Sequence, residues 1–417
     1  MDPSSSNSLV AQGLAARKAA KRLALSSGHQ RRRSLLALAD AIGAHREQIL
    51  DANERDLEEC GSTMPRSQVD RLRLDAGRLD AMVSSIRVIS EQPDVVGVVE
   101  SGWRLPNGVE VERVRVPLGV IGVIYENRPN VTSDSAALCV MSGNAVLLRG
   151  SSSAMNSNRA IVDAMRAGLA ATDLPQDSVL LVEDCSHEGV REFMELEGVL
   201  DCLIPRGGKS LLAAVREYSR VPTIFDGEGN CHIYVDARAD LTMALQIVGN
   251  AKLQRPGVCN AVETILVHSA VAAEFLSRLD PLFAAVVIRG DQRVQDAIPR
   301  AEPASEQDWE TEYLDYKVAI RVIESVDHAI DHIERYSSGH SEAVVTEDLA
   351  VARRFVEEVD AAAVLVNASP RFIDGGELGF GAEIGISTQK LHARGPMGMR
   401  ELTTLKYVVH GYGQIRG

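Results

Sequence analysis

Aromatic residues are scarce in this chain: Phe, Trp and Tyr make up 4% of 417 residues, although 45% of residues are hydrophobic. The apolar content is therefore Ala, Val, Leu and Ile, a composition that favours a helix-rich α/β enzyme over an aromatic-rich binding module. Basic residues are also in deficit, 44 Lys and Arg against 58 Asp and Glu, for a formal net charge of −14. Nucleic-acid binding needs a basic face, so that class of partner is excluded. The acidity most simply keeps the protein in solution. Six cysteines lie at 60, 139, 185, 202, 231 and 259 with no Cys-x-x-Cys pair, which argues against a metal site and against a disulfide framework. No run approaches the roughly 20 apolar residues that span a bilayer. Residues 1–8 are polar and lack the apolar stretch of a signal peptide. A soluble, cytoplasmic protein with no membrane partner is expected.

Nucleotide-binding signatures are missing as well. No Gly-x-Gly-x-x-Gly follows a strand, and there is no Gly-x-x-x-x-Gly-Lys-Ser/Thr. The glycine-rich stretches 379–385 and 411–417 have the wrong third spacing and do not lie between a strand and a helix.

What is present is periodicity. Residues 9–25 and 31–59 carry apolar residues at three- and four-residue spacing, so 8–92 reads as helical, with Arg31–Arg33 as a solvated helix face. From residue 95 the period changes. Residues 95–99 and 109–116 form a β-ribbon, and 120–125 a buried strand. Strands at 145–148, 179–182 and 200–204 then alternate with helices at 153–171, 188–195 and 210–219. A second alternating series runs from about residue 232 to 372, and 405–417 closes the chain as a lone strand with a Gly-rich tail. Alternation at this spacing implies parallel, doubly wound sheets. The length suits two or three domains.

Sheets of this kind bind ligands at the carboxyl ends of their strands. Arg149-Gly150-Ser151-Ser152-Ser153 and Pro205-Arg206-Gly207-Gly208-Lys209-Ser210 each follow a strand and open a helix. Each offers backbone N–H groups at a helix N-terminus and a nearby cation, a pairing that suits phosphate. Alone, each also reads as an ordinary capped helix start; together they could hold two ends of a dinucleotide, with Arg149 and its serines suited to a 2′-phosphate. Cys259 has two readings too. In Gln254-Arg255-Pro256-Gly257-Val258-Cys259-Asn260 it is either a small apolar residue at a strand edge or a thiol presented at a cleft by a Pro-Gly turn.

These elements occur in a particular order. Tyr125-Glu126-Asn127-Arg128-Pro129 is followed by Leu148-Arg149-Gly150, Arg206-Gly207-Gly208 and Gly227-Glu228-Gly229-Asn230-Cys231. Arg255-Pro256-Gly257-Val258-Cys259-Asn260 comes next, then Asn367-Ala368-Ser369-Pro370-Arg371-Phe372 and 379–388. The series resembles the gamma-glutamyl phosphate reductase family of the aldehyde dehydrogenase superfamily, over nearly the whole chain. No amino-acid kinase segment precedes it, so the separate reductase is expected and not a fused synthase. Pro370 departs from the family pattern, which has Thr there; it stiffens the loop and weakens the carry-over of substrate contacts.

The resemblance implies an aldehyde-dehydrogenase-like α/β fold: two doubly wound α/β domains plus a small β oligomerisation element. Their expected limits are 1–99 and 118–236 for the NADP-binding domain, 237–399 for the catalytic domain, and 100–117 with 400–417 for the ribbon. It implies Cys259 as nucleophile and Asn127 as the side-chain donor of the oxyanion hole. Arg149, Gly150, Ser152, Gly207, Gly208 and Glu312 would contact the cofactor, NADPH/NADP. Arg128, Arg255, Ser369 and Arg371 are the substrate-binding candidates, although a structural ion pair is an equal reading for each arginine. The implied reaction is NADPH-dependent reduction of L-glutamate 5-phosphate to L-glutamate 5-semialdehyde and phosphate through a Cys259 thioester, the second step of proline biosynthesis. A homo-oligomer and channelling from the upstream glutamate 5-kinase are the implied partners.

One absence separates this chemistry from aldehyde oxidation. Oxidising relatives keep a Glu that activates water against the thioester; the matching position here falls near Phe225, and Glu228 is displaced by about three residues. His232 and His340 are read as structural.

Overall fold

The computed structural model describes residues 9–416. Residues 1–8 and 417, which the sequence reading placed in the first domain and the ribbon, lie outside the described residues, as does the side chain of Lys209. The chain folds as two units: Met1–Phe225 with Gly379–Gly385 and Met397–Gly417, and Asp226–Leu378 with Ile386–Pro396.

The first unit opens with helices Leu9–Ala24, Gly28–Ala44, Arg46–Cys60, Arg66–Leu72 and Ala76–Glu91. Ser27 begins the second through a capping box with Gln30, and Asp75 caps the last by accepting from the Arg78 N–H. The periodic stretch 31–59 is broken at His45 (φ −97°, ψ 20°). There the His45 ring nitrogen and backbone N–H both engage the Ala41 carbonyl, which ends one helix and starts the next. Arg31 corrects the solvated-face expectation. It is 1% exposed, and its guanidinium meets the Asp94 carboxylate at 2.7 Å and the Met141 carbonyl at 3.1 Å. Charge spacing along a helix does not reveal which charge has a partner inside.

The strands are numbered along the chain. In the first unit these are β1 (Val99–Arg104), β2 (Glu110–Pro117), β3 (Val120–Tyr125), β4 (Ala145–Arg149), β5 (Val179–Leu181) and β6 (Cys202–Arg206). A four-stranded parallel sheet runs β5-β4-β3-β6. β3 and β4 are buried at every position, as apolar strands covered on both faces are. The chain winds one way from β3 to β5 and then returns to the other side of β3 with β6. The loops leaving β3 and β6 therefore diverge, forming the switch point where such sheets bind ligands.

The second unit is built on a seven-stranded parallel sheet. Its strands are β7 (Cys231–Val235), β8 (Val262–His268), β9 (Val287–Gly290), β10 (Glu302–Pro303), β11 (Lys317–Ile323), β12 (Ser341–Val345) and β13 (Ala363–Val366). Their order is β10-β9-β11-β8-β7-β12-β13. β14 (Ile386–Ser387) and β15 (Gly395–Pro396) form a small antiparallel pair. The expected limit at 236 differs from the observed one because β7 pairs with β8 and β12 and so belongs to this sheet. Residues 379–385 and 397–399 differ likewise: they pack in the first unit, where the Ile384 N–H donates to Met397 at 2.8 Å.

The closing strand β16 (Thr403–His410) is not alone. It pairs antiparallel with β2 along its whole length, giving the sheet β1-β2-β16. Trp103, Tyr407 and Val409 are exposed on this sheet, with Trp103 edge-on to Tyr407. Among the described residues no helix is long and apolar enough to cross a membrane.

Candidate active site

The residues singled out in the sequence fall into two groups, one in each unit. In the first unit they gather at the switch point. Asn127 follows β3 with φ +31°, a left-handed conformation that Asn tolerates better than most residues. Its side-chain carbonyl accepts from Ser151 at 2.8 Å and from Ser153, so its amide nitrogen is the outward donor; that nitrogen reaches Gln68 at 3.3 Å. Arg128 stands at the start of helix Pro129–Met141. Ser152, exposed, opens the short turn Ser152–Ala154.

Arg149, at the end of β4, is 6% exposed and donates to the Ser186 carbonyl at 3.2 Å. Burial lowers its pKa, against the opposing pull of Cys185 and Asp184. Its Nε is buried with no hydrogen-bond partner. A buried charged donor left unpaired is costly, and an anionic ligand group would satisfy it. At Gly150 a Cβ would overlap the Asn158 side-chain amide, so any side chain there would have to push Asn158 aside. Gly207 and Gly208 precede helix Lys209–Tyr218, and a Cβ on Gly207 would come within 2.7 Å of Leu211 and 2.8 Å of the Glu126 carboxyl. The Gly208 N–H donates to Glu126 at 3.1 Å. Gly208 thus presents a backbone donor to an anion, here the protein's own Glu126, and Gly207 leaves the room for that carboxyl to approach. The unpaired Arg149 Nε and this glycine cradle fit a phosphate-bearing cofactor.

In the second unit Cys259 lies at the amino end of β8, not at a carboxyl end. The carboxyl ends of β7 and β12 are filled by the chain's own side chains: buried Asp236 accepts from Tyr234 and Thr346, both at 2.8 Å. The loop that carries Cys259 is instead built between helix Leu241–Leu253 and β8. Gly229, just ahead of β7, packs so tightly on the Cys259 backbone that a Cβ there would overlap the Cys259 carbonyl. The Cys231 thiol donates to that same carbonyl at 3.1 Å. Burial drives the Cys231 pKa well up, with Glu342 and Cys259 adding to the effect. Cys231 is thus a neutral support, while Cys259 is half-buried.

Asn260 donates to the Ile373 carbonyl at 2.9 Å and accepts from Arg371, whose Nε donates to Gln254 at 3.0 Å. Arg371 is half-buried; desolvation lowers its pKa, and Asp374 opposes the shift. Ser369, buried, accepts from the Arg371 N–H at 3.3 Å. Pro370 opens the short turn Pro370–Phe372, a first-position site that suits its fixed φ. Arg255 is exposed beside the same loop. Glu312 accepts from the Gly229 N–H at 2.7 Å, which brings it beside the Cys259 backbone. The structure thus brings together Cys259, Arg255, Ser369, Arg371 and Glu312 in one unit. Asn127, Arg128, Arg149, Gly150, Ser152, Gly207 and Gly208 belong to the other.

Two charges not singled out in the sequence complete the second group. Lys252 and Glu263 meet at 2.6 Å with both side chains fully buried. Burial is the main force on each: it pushes Glu263 up to about 7 and Lys252 down, while each favours the other's charge. Their signal in the sequence was a charge inside each of two apolar runs flanking Cys259. His232 is buried against Glu342 at 3.0 Å, and His340 against Ser341 at 2.8 Å and Cys231 at 3.6 Å.

Residues 6–301 match the aldehyde dehydrogenase family, and the chain belongs to that family. It is 50% identical over 404 residues to the gamma-glutamyl phosphate reductase of Thermoanaerobacter pseudethanolicus, spanning 96% of this chain and 98% of that protein. To the gamma-glutamyl phosphate reductase of Thermobifida fusca it is 53% identical over 404 residues, covering 96% and 97%. The crystal structure of gamma-glutamyl phosphate reductase from Thermotoga maritima shares the fold with a TM-score of 0.95 at 45% identity, covering 98% of this chain and all of that one. The aldehyde-dehydrogenase-like α/β architecture expected from the sequence is therefore the observed one.

Proposed function

We propose that this protein reduces L-glutamate 5-phosphate to L-glutamate 5-semialdehyde with release of phosphate, the second step of proline biosynthesis, using NADPH. The observation that carries this reading is near-full-length identity of about half to gamma-glutamyl phosphate reductases. Cys259 attacks the acyl carbon, phosphate leaves, and an acyl thioester forms on its sulfur. NADPH, when bound, would supply the hydride; the C–S bond then breaks, releasing the aldehyde and returning the Cys259 thiolate.

The chain's own residues then have defined tasks. The Asn127 amide and the Cys259 backbone N–H hold the oxyanion formed in both steps. Fixing the Asn127 carbonyl on Ser151 and Ser153 supports that role, because it orients the amide before substrate arrives. Arg149, Gly150, Ser152, Gly207 and Gly208 hold the phosphates of the cofactor, and Glu312 its nicotinamide ribose. Arg128, Arg255 and Arg371 offer guanidinium groups to the carboxylate or phosphate of the substrate, and Ser369 lies beside Arg371. The position at which oxidising relatives carry a Glu falls near Phe225, with Glu228 displaced by about three residues, so no base is set to activate water against the thioester. The exposed Trp103, Tyr407 and Val409 on the β1-β2-β16 sheet support a homo-oligomer.

The reverse reaction tests this reading. With L-glutamate 5-semialdehyde and NADP, NADPH should form only when inorganic phosphate is added, and Cys259→Ser should abolish it. Turnover without phosphate would instead indicate an aldehyde-oxidising dehydrogenase.

A further inference from the structure

We propose that Glu263, its carboxylate neutralised by buried Lys252, is a positioning residue that holds the loop carrying Cys259 and the Glu312 loop in register. The roles of Cys259 and Glu312 are those proposed above; the pair's own geometry is independent of them. Lys252 sits in the last turn of helix Leu241–Leu253, ahead of Cys259, and Glu263 is the second residue of β8, after it. Their ion pair closes the base of the loop that carries the thiol.

Glu263 does more than answer Lys252. One carboxyl oxygen takes the Lys252 ammonium at 2.6 Å, and the other accepts the Leu314 N–H at 3.1 Å. Leu314 has φ +54°, a left-handed conformation that a branched side chain adopts only when its surroundings impose it. The turn it forms points its carbonyl at Gly257, 3.6 Å from where a Cβ would stand. Two residues earlier, Glu312 takes the Gly229 N–H, and Gly229 lies against the Cys259 backbone. One route of contacts therefore runs from Lys252 through Glu263 and the Leu314 turn to Glu312, Gly229 and Cys259.

Joining the helix to the strand does not require charges. An apolar pair of similar volume holds two elements together at least as well as a buried ion pair. It cannot accept the Leu314 N–H. That separates positioning from simple stability.

Two double variants test the proposal, K252M/E263Q and K252M/E263L. Both remove the buried cation and keep the volume, but only Gln retains an acceptor for Leu314. Three quantities are compared: melting temperature, the rate of Cys259 alkylation by iodoacetamide, and kcat with its KM. At similar melting temperatures, K252M/E263L should lose about 10²-fold in kcat, the cost of a displacement of about 1 Å at a reacting group. It should also show an altered alkylation rate, while K252M/E263Q loses far less on both. Equal behaviour of the two variants overturns the proposal. Should K252M/E263L fail to fold, hydrogen exchange of segment 312–316 in the wild-type protein decides: protection like that of a core strand is expected, and exchange at loop rates refutes it. Alkylation needs no substrate, so wild-type protein inactive on L-glutamate 5-phosphate would sink the proposed reaction without touching this comparison.

Discussion

Gly229→Ala is the sharpest perturbation of the loop that carries Cys259. A Cβ at this position would overlap the Cys259 carbonyl and stand 2.6 Å from its Cα. Backbone cannot swing aside as the end of a flexible side chain can, so one of the two segments must shift. Overpacking of this kind costs about 1–3 kcal/mol. A shift of about 1 Å in the thiol lowers turnover by about 10²-fold. Gly43→Ala is the internal control. Gly43 lies near the end of helix Gly28–Ala44 with nothing within 4 Å of a built Cβ, so alanine there should be neutral or stabilise by up to about 1 kcal/mol. Thermal unfolding and steady-state kinetics on the two variants provide the assay. The reasoning is refuted if Gly229→Ala keeps wild-type kcat, because the close approach would then have no bearing on the thiol.

Glu126→Gln should tighten NADPH binding. The native carboxylate occupies the Gly208 N–H at a helix start, a charge–dipole contact of about 0.3–1 kcal/mol, or about two- to fivefold in Kd. Fluorescence titration measures it, and weaker binding by the variant would make Glu126 a contributor to the cofactor site and not a competitor. Asn127→Ala should lower kcat by about 10²–10³, the usual loss for one oxyanion donor, with NADPH affinity retained. A loss of only a few-fold would place the oxyanion hole elsewhere. Acid should weaken the protein through His340, fully buried, whose pKa burial lowers from 6.5 to about 4. The unfolded chain binds the extra proton first, so stability is present above pH 6.5 and is lost as pH falls toward 4. Between pH 7 and 5 that amounts to about 2 kcal/mol. Urea unfolding at the two pH values checks it: His340→Gln should remove that part of the pH slope, and an unchanged slope would show that other groups carry it.

Much of the architecture was legible because parallel strands buried on both faces are written as short apolar runs, as in β3 and β4. Glycine-rich turns marked where those runs ended. In the sequence Gly229 is one glycine of the series Gly227-Glu228-Gly229-Asn230-Cys231; that its missing Cβ makes room for the Cys259 backbone appears only once β7 and β8 pair. The partners of charged side chains were hidden for the same reason. Arg31 looked like one more cation on a helix face until Asp94, 63 residues later, was brought beneath it. Lys252 and Glu263 sat unremarked in apolar runs, and only the fold turns both inward to meet. The break at His45 depends on one ring bonding one carbonyl, a local contact that periodicity does not register. The Glu126 contact with Gly208 likewise arises from the adjacency of β3 and β6, strands far apart in sequence.

Cys259, in the proposed reaction, makes a thioester destined for hydride and protected from water. Phosphate released from L-glutamate 5-phosphate in the absence of NADPH tests this most directly. A burst of one phosphate per active site is expected, then no further release, with the acyl group found on Cys259 by mass spectrometry and no burst from Cys259→Ser. Continuous release of phosphate without NADPH, or a burst that survives Cys259→Ser, would contradict it.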